Sequence, residues 1–516
     1  MCGIGGIIGD HSNTDAKKLI SLLKHRGPDD DGFWNDKKVL LVATRLMITS
    51  DKKEGIQPFV KDGYILIYNG EIFNYQRLKD ELKKSCRFST NTDTEVLMNG
   101  LINERESFIR KLDGQFAFAF YDLKRKKVLL ARDQIGRMPL YYTQAKDGRF
   151  IFASEMKAIF SVDVKAKLKG GDKHFKYQWS NQIPTTNNTI FEKVYQLLPG
   201  QIISIDLNGE RTIRKSVYYE LNQSSILNKP QSYFLSRLPE LLKNSVNREL
   251  IGHAKIGLSF SGGVDSTIIL KILSEKLDYP PVSIAAFRDE KYFDTVREAS
   301  RLFNTKLVEI KLDKKIVKEL PKTIYATETY GMGHGIELLH FNISKEAQKQ
   351  KVKVLMCGAG IDEEFLGYWH FLKHTFDKFK NRGMLEKELI KERHQEIKQL
   401  YNSHLLVRDR TRMAHGIEAR SPFVNVPLIE SALKIPPFYC VDSAGGVKKI
   451  MRTATAEFLP KKYAYMKKIQ SYTHSNIFSI LQEELGLDTN EEYLTLCKGM
   501  VEKIFVDGKN PNTLKI

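Results

Sequence analysis

Cys2, behind an initiator methionine, carries a complete nucleophilic device in two residues. A side chain this small permits removal of Met1, which leaves a thiol beside a free α-amine. An amine of pKa roughly 7.7 to 8.0 accepts the thiol proton near neutrality, so no separate histidine is needed. Taken alone, Cys2 reads as well as a buried structural cysteine or a lipidation site. Its companions change the reading. In YNGEIFN, Asn69 and Gly70 follow a strand and offer an amide side chain and a backbone N–H to a tetrahedral oxyanion. Arg45, at the end of another strand, suits an α-carboxylate, and Glu71 and Asp93 suit an α-ammonium. Together they describe a pocket for a zwitterionic amino acid whose side-chain amide is attacked.

A second constellation lies beyond residue 255. Ser259, Ser261, Gly262, Gly263, Val264, Asp265, Ser266 and Thr267 fall between an expected strand and an expected helix. Glycines there let backbone N–H groups close around an anion, the serines add hydroxyl donors, and the helix N-terminus favours negative charge. The Walker ending GK[ST] is missing. SGGxDS resembles instead the pyrophosphate loop of enzymes that cleave ATP to AMP and pyrophosphate. A second strand–turn–helix junction, MCGAGIDEEFLGYWHF, puts Asp362 and Glu363 at the same end of the expected parallel sheet. Asp265 and Asp362 could hold Mg²⁺, which takes one or two carboxylates plus phosphate oxygens; helix capping is the plainer role for Asp362.

The elements that must position these residues follow from pattern. Up to about Asp206, apolar runs such as VLLVATRLMI, YILIYNG and QFAFAFYDL alternate with helical stretches near 15–24, 75–84 and 94–103. That is a mixed α and β domain with much antiparallel pairing. Residues 207–232 turn polar and irregular, the expected linker. From 233 to 516, a helix over 233–249 precedes strands at 255–260, 282–287, 306–310 and 352–357 that alternate with helices, the grammar of a parallel sheet covered on both faces.

Composition sets the outer bounds. The chain has 516 residues, 42% of them hydrophobic, enough for two large cores. Its net charge of +19 comes mostly from scattered lysines with acidic residues between them, which reads as solvated faces and argues against a nucleic-acid stripe. Five cysteines without a CxxC pair argue against a disulfide framework and fit a reducing, cytoplasmic setting. No apolar run is long enough to suggest a signal sequence or a membrane span.

The motifs MCGIGGIIG, HRGPDDDG, ATRLMI, YNGEIFNY, NTDTE, LDGQFAFAFYD, ARDQIGRMPLYY and FASEMKAI resemble, in their order, class II glutamine amidotransferase domains. The resemblance implies an N-terminal-nucleophile αββα sandwich over residues 1–206. In it Cys2 attacks glutamine, Asn69 and Gly70 form the oxyanion hole, and Arg45, Asn69, Glu71 and Asp93 hold the substrate. Further on, RDRTRMAHGIEARSPFVN and VKKIMRTATAEFLP resemble the synthetase domain of asparagine synthetases, which implies an α-hydrolase-like ATP-pyrophosphatase fold. That resemblance implies ATP contacts at Ser259, Phe260, Ser261, Gly262, Gly263, Asp265, Ser266, Ala286, Cys357 and Gly358. It also implies Mg²⁺ at Asp265 and Asp362, and a catalytic cation at Lys448. Glutamine, aspartate and ATP are the implied partners, and the family admits a homodimer.

Two positions depart from the pattern. Where asparagine synthetases have SGEGxDE, this chain has Ala359 in place of the carboxylate, and Asn425 stands where PFLD ends in Asp. Glu328, in ATETYG, is the candidate to compensate. The expected function is glutamine-dependent asparagine synthesis through β-aspartyl-AMP, with a dry passage for ammonia between the sites. A different carboxylate acceptor, in a sugar, peptide or secondary metabolite, is the alternative. A basic RNA-modifying protein and a degenerate, glutaminase-only paralogue are the remaining readings.

Overall fold

Strand β1 (Cys2–Ile8) is buried along its whole length, because CGIGGII offers no polar side chain and its glycines admit neighbouring backbones. A Cβ on Gly6 would meet Leu40 O at 2.6 Å. The structure, a computed structural model, describes residues 2–49, 54–169, 185–221, 226–331, 334–466 and 476–516.

Eleven further strands complete the first half: β2 (Asp30–Asn35), β3 (Val39–Arg45), β4 (Phe59–Lys61), β5 (Tyr64–Ile72), β6 (Gly114–Asp122), β7 (Lys127–Arg132), β8 (Tyr141–Gln144), β9 (Phe150–Ala153), β10 (Tyr195–Gln196), β11 (Gln201–Asp206) and β12 (Thr212–Val217). They form two six-stranded sheets, ordered β10-β8-β9-β1-β3-β2 and β12-β11-β7-β6-β5-β4. Every strand pair within them is antiparallel.

The period of two along β3 sorts its side chains between layers. Val39, Leu41 and Ala43 enter the core between the sheets with Ile65, Ile67 and Ala117. Leu40 and Val42 face outward against Leu19 and Leu23 of the helix Asn13–Leu23. On the other sheet, Leu66, Phe116 and Phe118 pack against Leu78 of the helix Tyr75–Leu82 and Val96 of the helix Asp93–Glu104. The result is a helix–sheet–sheet–helix sandwich.

The second half is built on a parallel sheet of β13 (Ile256–Ser259), β14 (Val282–Phe287), β15 (Lys306–Lys311), β16 (Val354–Met356) and β17 (Glu418–Arg420), ordered β15-β14-β13-β16-β17. The order reverses between β13 and β16, so the two Gly-rich turns that follow them open side by side at the switch point.

Three details differ from the sequence reading. Residues 212–217, inside the stretch expected to be a linker, form β12 and pair with β11 from Gln201↔Val217 to Asp206↔Thr212. The helix expected over 233–249 is two, Gln231–Leu235 and Leu238–Asn247, because Pro239 lacks an N–H and starts the second one. Strand β17 was not anticipated: three residues of EAR give no period, and β16 supplies the pairing. No helix among the described residues is long and apolar enough to cross a membrane.

Candidate active sites

The register of β1 on β3 pairs Cys2 with Arg45 and so brings the thiol and a guanidinium to the same end of the sandwich. Cys2 N donates to Asn69 Oδ1 at 2.9 Å. With its oxygen engaged, the Asn69 amide turns its nitrogen away, and that Nδ2 is buried with no partner among the described residues. A buried donor left unmade costs about 1–3 kcal/mol and serves as a ready ligand for an anion. Gly70 follows at φ +149°, and a Cβ there would sit 2.0 Å from Gln115 O, so only glycine lets β5 and β6 close beside the thiol.

The acidic side of this pocket is dry. Asp93 accepts hydrogen bonds from Tyr68 Oη at 2.9 Å and Ile72 N at 3.1 Å. Glu71 Oε2 is buried without a partner among the described residues. Burial, then the Asp93 and Glu418 carboxylates, hold the Glu71 pKa well above the ordinary range. Burial likewise raises the Cys2 thiol, opposed by the chain's amine, the Leu46 backbone and Arg45. An ammonium placed against Glu71 and Asp93 answers that acidic excess. Arg45 is buried, its Nη2 donating to Glu54 O.

Glu418, on β17 of the second half, belongs to this neighbourhood and was missed from sequence. Its Oε1 accepts from Gln115 Nε2 at 3.2 Å and from Arg420 Nε at 2.6 Å. The segment GIEAR was recognised only as a motif, and nothing in its pattern says that it crosses to the other domain.

The second pocket, of about 190 Å³, opens at the switch point. Nine of the ten residues assigned to ATP line it; Gly262 supplies the turn beside it at φ +78°. Ser261 Oγ lies 3.3 Å from Ser266 Oγ, and Gly263 begins the helix Val264–Lys276. Lys448 Nζ sits between two carboxylates, 2.6 Å from Asp265 Oδ2 and 2.8 Å from Asp362 Oδ1. Burial works to lower the Lys448 pKa, and the two carboxylates override it and raise it. The donor set fits Mg²⁺: two hard oxygens converge at a phosphate-binding turn and leave positions for phosphate oxygens. No cluster of three or more metal-ligating side chains exists among the described residues.

The departures from the family pattern resolve differently. Ala359 lines the pocket. Asn425 is a helix cap: its Oδ1 accepts from Leu428 N at 3.0 Å and its Nδ2 donates to Ser245 Oγ at 2.9 Å. Glu328 does not reach the pocket to compensate for Ala359; it accepts from Met156 N at 2.9 Å and pairs with Arg410 at 3.0 Å. The side chains that line the pocket with Ala359 include Glu363, named from sequence with Asp362, and two that sequence did not single out, Tyr368 and His404. Glu363 Oε1 accepts from Tyr368 Oη at 2.8 Å and lies 3.5 Å from His404 Nε2. Spacing of 36 and 41 residues hides His404 from any local motif.

Comparison with known proteins agrees with this geometry. A glutamine amidotransferase domain model matches residues 1–219, and an asparagine synthase model matches residues 237–394 and 381–486. A Methanocaldococcus jannaschii protein assigned as a glutamine-hydrolysing asparagine synthetase is 31% identical over 91% of this chain and 92% of its own. Asparagine synthetase [glutamine-hydrolyzing] 1 of Bacillus subtilis is 30% identical over 71% of this chain and 59% of its own. Asparagine synthetase [glutamine-hydrolyzing] 2 of Oryza sativa is 28% identical over 91% and 76%. At this similarity, along nearly its whole length, the chain belongs to the family of glutamine-hydrolysing asparagine synthetases.

Proposed function

We propose that the chain makes asparagine from aspartate, glutamine and ATP. Cys2 attacks the glutamine side-chain amide, and the unpaired Asn69 Nδ2 donates to the oxyanion. The adduct collapses to a γ-glutamyl thioester as its C–N bond breaks and ammonia leaves, and water then hydrolyses the thioester to glutamate and free Cys2. At the switch point the aspartate β-carboxylate attacks the α-phosphorus of ATP, and pyrophosphate departs with the bonding electrons. Ammonia then displaces AMP from the β-aspartyl-AMP. Mg²⁺ held by Asp265 and Asp362 would neutralise phosphate charge, and Lys448 between them takes the same role from the protein side.

The observation that carries the reading is Lys448 clasped by Asp265 and Asp362 at the mouth of the Gly-rich turn, a cation prepared for polyphosphate in a chain that also carries Cys2. The passage for ammonia has an apolar candidate: Ile135 of the first half shares one buried cluster with Cys357, Ala359 and Val424 of the second. A dry wall keeps ammonia from being protonated in transit. We place the reaction in the cytoplasm, a reducing setting suited to five free cysteines.

One assay tests this. Glutamine, aspartate and Mg-ATP should yield glutamate, asparagine, AMP and pyrophosphate in equal amounts, and Cys2→Ala should abolish the glutamine-dependent reaction while sparing the one run on ammonium. Ala359 in the pocket wall favours one second reading, a bulkier carboxylate acceptor. Pyrophosphate release with other carboxylates and none with aspartate would establish it.

A further inference from the structure

Amide formation at the second pocket has a step that the groups named so far do not serve. When ammonia adds to an acyl carbon, the adduct carries N⁺–H and must lose a proton before the carbon–oxygen bond to AMP breaks. A positioned base speeds such a step. Ala359 has no proton-accepting group. Asp265 and Asp362 are engaged by Lys448. His340 lines the pocket, but burial, reinforced by Arg408 and Arg412, holds its pKa well below the ordinary value and makes it a weak base.

His404 differs in each respect. It stands at the first turn of the helix His404–Met413 and lines the pocket with Ala359. Its side chain is 37% exposed, open to a substrate on one side. On the other, Nε2 lies 3.4 Å from Tyr368 Oη and 3.5 Å from Glu363 Oε1. Glu363 is itself fixed, accepting from Gly360 N at 3.1 Å and from Tyr368 Oη at 2.8 Å. The carboxylate therefore stands where an imidazolium needs a counter-charge, as in catalytic His–carboxylate pairs generally. Arg408, one turn along the helix, donates Nη1 to His404 O at 3.1 Å and fixes the backbone beneath the ring.

We propose that His404, positioned by Glu363 and Tyr368, is the base that removes the proton from the attacking nitrogen. The ammonia lone pair forms the C–N bond. The adduct's N–H proton passes to Nδ1 of the neutral imidazole, whose Nε2 faces Glu363 and Tyr368, and the C–O bond breaks with its electrons leaving on AMP. The imidazolium then returns the proton to solvent. This deepens the synthetase reading and rests on it.

The experiment uses the full-length protein with ammonium as nitrogen donor. Wild type is first required to release pyrophosphate with aspartate; failure there removes the synthetase reading and the His404 assignment with it, whereas failure of the assignment alone is read from the variants. Given that activity, His404→Gln should leave aspartate-dependent pyrophosphate release little changed and lower amide formation about 100-fold. Hydroxylamine, whose adduct sheds its proton more readily, should restore product formation as the hydroxamate. Tyr368→Phe should show the same selective pattern, more weakly. Loss of pyrophosphate release in parallel with amide formation, or no loss of either, or failure of hydroxylamine to rescue, overturns the proposal.

Discussion

Glu328 of the synthetase half caps the helix that begins at Met156 of the amidotransferase half, accepting from Met156 N at 2.9 Å. Its second oxygen accepts from Lys157 N at 2.7 Å, and Arg410 binds the first at 3.0 Å. Arg410 reaches Glu155 at 2.9 Å, which binds Arg26 at 2.8 Å, and Arg26 returns to Asp409 through two contacts of 2.9 Å. The chain of charge is buried throughout and crosses between the halves twice. Removing one member of such a buried set leaves the others uncompensated, at about 3–5 kcal/mol. Glu328→Gln should therefore lower the denaturation midpoint and expose the domain junction to limited proteolysis. An unchanged midpoint contradicts the structural role.

Asn69 holds the chain's backbone at Cys2 with its oxygen and keeps its nitrogen for the oxyanion. Removing one oxyanion donor costs about 10²–10³ in rate. Asn69→Ala should lower kcat for glutamine hydrolysis by about that factor, with little change in ammonium-dependent synthesis. A rise in KM alone would assign Asn69 to glutamine binding instead.

Much of this was legible in sequence because it is local. The SGG turn reads as a phosphate cradle since strand, glycines and helix adjoin, and β3 shows its two faces through Val39 to Ala43. Glu328 was misread because ATETYG names a carboxylate and not its direction; the left-handed backbone at φ +55°, which turns it toward Met156, is set by tertiary packing. Glu418 and His404 escaped for a related reason. Each acts on residues hundreds or tens of positions away, and β17 owes its existence to β16 rather than to its own three residues.

His415 gives the fold a pH limit. Burial first, then Lys345, lower its pKa to about 4, against Glu319, and its Nε2 is buried without a partner among the described residues. Its ring meets Phe341 edge-on at 4.5 Å. Because the folded pKa is below the unfolded value of 6.5, the unfolded chain takes up the proton first as pH falls. The stability held by neutral His415 is thus complete above about pH 6.5 and lost progressively toward pH 4, by about 3 kcal/mol. His415→Phe should flatten that acid limb in urea unfolding measured at several pH values. Parallel pH dependence in wild type and variant sinks the assignment.

Lys448 closes the nucleotide site by geometry that tolerates no relative. Its side chain is buried, and a Cβ placed on Gly367 would meet Lys448 Cε at 2.5 Å and Asp362 Oδ1 at 1.9 Å, so the cation lies in a slot shaped by glycine. Lys448→Gln leaves Asp265 and Asp362 facing one another without a cation and removes a charge from the departing pyrophosphate. Aspartate-dependent pyrophosphate release should fall by about 10²–10³, the scale of a lost electrostatic donor. Lys448→Arg should not restore it, because a planar guanidinium is too wide for that slot and spreads its charge away from the point where both carboxylates meet. Glutamine hydrolysis, which depends on Cys2 and Asn69, should continue in both variants. ATP turnover equal to wild type in Lys448→Gln, or glutaminase lost to the same extent, shows that Lys448 supports the fold and not the chemistry.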